Sequence, residues 1–166
     1  MKRFILLTVM LLSVTIASAQ EGKNVYNKYS GHKDVSAIYI SPSMFRMIGN
    51  LPELAVDNGN GGKMDIAPLI KTFKGFYLLD ISDKSVIDSI NKDVADMMKT
   101  GKYEMLMELK DEVDIMQIFT AGKETTIDTF VFKAQDGESL QFICIDGAMD
   151  RSEIEKLMSS AMNAAK

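Results

Sequence analysis

The chain reads as an α+β domain: a single, mostly antiparallel sheet with helices packed on one face, its elements in the order βαβαββββα. Three observations predict this. Hydrophobic spacing changes at residue 102, from the helical stripe Val86, Ile87, Ile90, Val94, Met97 and Met98 to the two-residue alternation of Tyr103, Met105, Met107 and Leu109. The last four apolar runs are separated by short polar turns, which makes them antiparallel neighbours. Each helical segment also carries its own start or stop residue.

The elements follow in order. Residues 20–34 are polar with no clear period and read as a flexible arm leading into the domain, 35–166. Val35 to Ile40 is β-branched and aromatic, hence a strand. Ser41-Pro42 opens a short helix, since serine caps free N–H groups and proline has no hydrogen to leave orphaned there. Met44, Phe45 and Ile48 form its apolar face and Gly49 stops it. Residues 50–70 have no clear pattern. Their middle, Asp57 to Lys63, has the composition of a solvated loop, and long loops in compact domains are often functional. Asp57, Asn58, Asn60 and Lys63 are its candidate ligand-binding residues.

Thr72 to Ile81 is the second strand, and Ser82 or Asp83 caps the main helix, which Gly101 closes. Strands then run over 102–110, Val113 to Thr120, Thr126 to Lys133 and Leu140 to Ile145. Lys110-Asp111-Glu112, the segment from Ala121 to Glu124, and Gln135-Asp136-Gly137-Glu138 turn the chain between them. Asp-Gly is a strong hairpin signal because both residues tolerate positive φ. Asp150 and Glu153 form a capping-box-like pair for a last helix with the stripe Ile154, Leu157, Met158 and Ala161.

The first nineteen residues carry a destination. Lys2-Arg3, the apolar run Phe4 to Ile16, and Ala17-Ser18-Ala19 have the three parts of a secretory signal peptide, cleaved between Ala19 and Gln20. The run is short for a membrane span, which needs about 20 apolar residues. The expected location is periplasmic or extracellular, with no transmembrane helix left after cleavage. Cleavage takes 19 of 166 residues and leaves 147, enough for one domain with a proper core. Lys2 and Arg3 depart with the leader, so 17 basic residues face 23 acidic ones, a net charge of −6. That balance argues against nucleic acid, whose phosphates need a basic footprint.

Candidate chemistry is sparse. Gly62-Lys63 is followed by Met64, which breaks a P-loop, and Gly59 and Gly61 stand where an EF-hand from Asp57 needs oxygen ligands. His32, the one histidine, lies in the polar arm, where nothing positions it against a nucleophile. Cys144, the one cysteine, sits in an apolar strand and reads as a small buried hydrophobe. Zinc wants four Cys or His ligands and the chain has two such residues. Met105 and Met107, two apart on a strand, would place two thioethers on one face, a set that suits Cu(I), but that face also carries Tyr103 and Leu109 and reads as core. Asp111, Glu112 and Asp114 cluster at a hairpin turn, where charge serves solubility and edge protection. Tyr26 and Tyr29 in the arm have the rings to stack on a ligand such as a sugar. No catalytic residue, metal site or cofactor is assigned.

The phrase from Ile38 to Phe45 (Ile-Tyr-Ile-Ser-Pro-Ser-Met-Phe), then Asp65-Ile66-Ala67-Pro68-Leu69-Ile70 leading into Phe76-Tyr77-Leu78-Leu79, resembles the small exported Gram-negative proteins grouped as domain of unknown function 4252. The resemblance covers the whole mature chain in order of elements. It implies a signal peptide, brings no active site with it, and implies a regulatory or interaction role beside envelope-stress sigma factor systems. The expected function is a non-catalytic envelope domain that binds a protein or small ligand through the exposed face of its sheet or the 50–70 loop. The alternatives are a periplasmic hydrolase using surface carboxylates and a methionine-based Cu(I)-binding protein.

Overall fold

The computed structural model of the chain describes residues 21–50, 55–57 and 63–164. The leader, 1–19, and its cleavage point lie outside them. The described elements are α1 (Glu21–Tyr29), β1 (Val35–Ile40), α2 (Pro42–Ile48), β2 (Ala55–Asp57), β3 (Lys63–Asp65), α3 (Ala67–Lys71), β4 (Phe73–Ile81), α4 (Lys84–Lys99), β5 (Tyr103–Asp111), β6 (Asp114–Gly122), β7 (Thr126–Gln135), β8 (Leu140–Asp150) and α5 (Arg151–Ala164). Six strands form one antiparallel sheet in the order β1-β4-β8-β7-β6-β5. The predicted α+β class and its antiparallel meander hold.

Local chemistry sets the helix ends. Ser41 Oγ accepts the Met44 N–H at 3.3 Å, with Pro42 at the first helical position. Asp83, not Ser82, caps α4 by accepting from the N–H groups of Ser85 and Val86 at 2.8 and 3.0 Å. Asp150 accepts from the N–H groups of Ser152 and Glu153. Gly101 ends α4 at φ 73°, a region that suits glycine. The Asp136 turn works differently from the sequence expectation. Neither Asp136 nor Gly137 has positive φ; instead the Asp136 carboxylate accepts the N–H groups of Glu138 and Ser139 at 2.8 and 2.6 Å.

Tyr77, Leu79, Ile81, Phe119, Val131, Leu140, Phe142 and Cys144 point to one face of the sheet, called inner here. They pack against Val86, Ile87, Ile90, Val94 and Met97 of α4. The supposed flexible arm is a correction: residues 21–29 form α1, which docks on this face through Val25 and Tyr29. Those two lie four apart, so they share one side of the helix. Gly22 makes the close approach possible, because a Cβ there would overlap Cys144 Sγ. The Tyr29 hydroxyl and Lys28 Nζ both donate to Asp93 Oδ2 at 2.7 Å. Tyr29 is therefore core, and Tyr26 packs beside Tyr77 with ring centroids 5.3 Å apart; neither is a free stacking platform.

Helices also reach the opposite, outer face. Phe130 and Ile145 alternate with inner-face Val131 and Cys144, so they point outward, where Ile154 and Met158 of α5 pack in one cluster with Leu69, Phe73, Ile127 and Met149. Phe45 of α2 meets Phe73 edge-on at 5.2 Å. The expectation of helices on one face is thereby corrected: part of the outer face is covered as well. Side chains of Leu157 and Ala161 lie outside the described residues.

Candidate functional site

The outer face carries a transverse row of cross-strand partners through all six strands: Ile38 opposite Leu78, then Ile143, Phe132, Ile118 and Met107. Every member is apolar. The row nearer α5 runs Ile40, Phe76, Ile145, Phe130, and α5 covers part of it through Ile154 and Met158. The row on the far side ends in Ala134, Met116 and Leu109. Leu109 and Ile38 are exposed, Leu78, Ile143, Phe132, Met116 and Met107 are half-buried, and Ile118 is buried. This open half of the outer face is the candidate site.

Beyond Leu109, an open depression of about 750 Å³ lies across the end of the sheet, with Lys110, Ile115 and Gln135 of the inner face also lining it. Leu109, Met116, Ala134 and Gln141 form its outer-face lining, and Asp111, Asp114, Asp136 and Ser139 stand around it. Backbone N–H groups of Glu138 and Ser139, then the Ser139 hydroxyl, hold the Asp136 carboxyl below the usual range. Lys110 Nζ is engaged by Glu108 at 3.0 Å, and Gln117 Nε2 donates to the same carboxylate at 2.5 Å. The depression therefore has an apolar floor and an acidic lip. The Asp111, Glu112 and Asp114 cluster sits at that lip, with Asp111 and Asp114 opposite one another in register.

The inner face holds three buried polar side chains, Thr129, Lys133 and Asp146. Asp146 accepts from Thr129 Oγ1 at 3.1 Å and from Cys144 Sγ at 3.8 Å, and burial raises its carboxyl above the ordinary range. Burial also pushes the Tyr77 hydroxyl up to about 12, with the Asp146 charge adding to it, and pushes the Cys144 thiol well up. Lys133 Nζ donates to Asn91 Oδ1 at 2.7 Å, Asn91 Nδ2 donates to Gln135 Oε1 at 2.9 Å, and burial lowers the Lys133 ammonium. These groups tie α4 to the sheet.

The loop assignment is not brought into this site. Asp57 and Lys63 face each other in register at one end of the separate β2–β3 hairpin, and Asn58 and Asn60 lie outside the described residues. His32 stacks at a tilt on Tyr29, centroids 5.6 Å apart. The paired thioethers are a correction. A bulge after Met105 leaves Met105 opposite inner-face Phe119 and Met107 opposite outer-face Ile118, so the two sulfurs point to opposite sides. Met105 and Leu109 are also exposed, not core. Among the described residues no three His, Cys, Asp or Glu side chains gather to hold a metal ion. No helix among them is long and apolar enough to cross a membrane.

The outer-face residues were missed because strand alternation was read as apolar against polar. The available signal was Phe142-Ile143-Cys144-Ile145 and Phe130-Val131-Phe132, apolar on both sides, as in strands with both faces covered. No curated protein and no solved structure matches the chain. A family model does match, over residues 29–157, from the end of α1 into α5 and so across the whole six-stranded sheet. By that span the chain belongs to the domain of unknown function family DUF4252.

Proposed function

We propose that the protein is an exported, non-catalytic binding domain of the bacterial envelope that holds a protein or small ligand on the open half of its outer face. The observation that carries this reading is the six-residue apolar row Ile38–Leu78–Ile143–Phe132–Ile118–Met107, left partly open beside a depression of about 750 Å³. Contiguous exposed apolar surface rimmed by polar groups marks interaction sites in soluble proteins. The export part rests on the leader and its cleavage motif.

Photo-crosslinking in cells tests the binding part. A photoreactive residue at Leu109 or Met116 should yield discrete adducts, and one at exposed Asp88 on α4 should not. Adding Ala134→Asp should abolish the Leu109 adducts. Equal labelling from all three positions would count against the outer face. N-terminal sequencing of the envelope fraction should begin at Gln20; an intact chain in the cytosol would overturn export.

A further inference from the structure

The two edges of the sheet differ in a way that specifies an interaction. β5, at one edge, has Glu104, Glu108, Lys110 and Asp111 along it and is broken by the bulge after Met105. Charge and bulges are the means by which proteins keep an edge from pairing. β1, at the other edge, reads Val-Ser-Ala-Ile-Tyr-Ile: six residues with no charge, no proline and an unbroken register against β4. β4 is its only extensively packed neighbour among the described elements. Ser36, Ala37, Ile38 and Tyr39 are all exposed. Among the described residues, four of the seven large exposed hydrophobics (Ile38, Tyr39, Met44 and Met47) lie in β1 or in α2, the next helix.

We infer that β1 pairs with β1 of a second copy of this chain, antiparallel across a two-fold axis normal to the sheet, giving a continuous twelve-stranded sheet. An antiparallel two-fold places each residue opposite one on the same face, so the axis passes through Ala37 or Ile38. With the axis at Ile38, Ile38 meets its own copy, Tyr39 meets Ala37 and Ile40 meets Ser36. With the axis at Ala37, Tyr39 meets Val35 and Ile38 meets Ser36. Both arrangements set Tyr39 beside a smaller residue and bring no like charges together, although the whole chain is acidic; a second acidic copy is tolerated here because the strand itself is neutral. A stable interface needs about 800 Å² from each partner, more than six residues of strand supply alone. The exposed Met44 and Met47 of α2, which begins at Pro42, adjoin the strand and extend the apolar area. The same axis puts both outer faces on one side of the dimer. The inference does not depend on what those faces bind.

Sedimentation of the mature protein at micromolar concentration tests it. The expected result is a dimer. Ile38→Lys and, separately, Ser36→Lys should weaken it by about tenfold or more, since lysine on an otherwise neutral edge strand opposes edge-to-edge pairing. Leu109→Lys on the other edge should leave it intact. Circular dichroism of the variants should match the parent, because all three side chains are exposed. Only the parent and Leu109→Lys should keep a melting temperature that rises with protein concentration. Ala37→Cys or Ile38→Cys should form an intermolecular disulfide on oxidation, since residues on the axis fall within disulfide reach. A monomeric parent protein would overturn the inference. So would a dimer that survives both β1 lysines, or one lost to Leu109→Lys as readily as to Ile38→Lys.

Discussion

On the inner face of the sheet Leu79, Phe142 and Cys144 are fully removed from water, and Ile90 of α4 is buried with them. On the outer face Ile38 and Leu109 keep 50% and 54% of their surface. The two faces draw on the same residue types, so composition does not separate them. Coverage does. One helix with its side chains is about 10 Å wide, whereas six strands about 4.8 Å apart span roughly twice that or more. The inner face receives the sixteen-residue α4 and also α1. The outer face receives α5 over Phe130 and Ile145, with α2 and α3 toward the same cluster, while Ile38 and Leu109 on its edge strands stay exposed. A sheet face is a core only where something lies on it.

The largest expected effect breaks or confirms that contrast directly. Phe142→Ala should destabilise the protein by about 3–5 kcal/mol in urea unfolding, as for other fully buried aromatic truncations. A loss no larger than that from Leu109→Ala would erase the distinction between the faces. Gly22→Val should cost about 1–3 kcal/mol, because the new Cβ would overlap Cys144 Sγ and push α1 off the sheet. Gly31→Ala, with nothing within 4 Å of the added methyl, is the control that should leave the melting temperature nearly unchanged.

Asp146 sharpens the contrast through pH. Its folded-state carboxyl lies above the ordinary value of 3.8 because burial penalises the charge, outweighing the Thr129 and Cys144 hydrogen bonds. The folded protein therefore holds this proton more tightly than the unfolded chain does. Its contribution is fully present below 3.8 and is lost as pH rises through the raised folded value. Asp146→Asn should flatten the fall in stability across that window, measured as unfolding free energy against pH; parallel curves for parent and variant would refute the assignment. The smallest effect belongs to the open face: Leu109→Ala should shift stability by about 0.5 kcal/mol or less.

Much of the architecture was legible. The caps Ser41, Asp83 and Asp150 mark helix starts, and the i, i+4, i+8 spacing of Val86, Ile90 and Val94 gives the buried side of α4. α1 was not legible by composition: Gly22, Asn24 and Asn27 are poor helix formers, and docking on the sheet overrides them. Val25 and Tyr29, one helical turn apart, were the trace it left. The bulge after Met105 has no local signal, because it arises from how β5 meets β6, and it alone separates the two thioethers. The apolar row of the outer face exists only in the register of six strands. No single segment of the sequence displays it.

Gly22 has one further consequence. Cys144 is unpaired and lies directly beneath it. Lifting the first helix away would uncover that sulfur, so thiol modification faster than global unfolding would report N-terminal undocking.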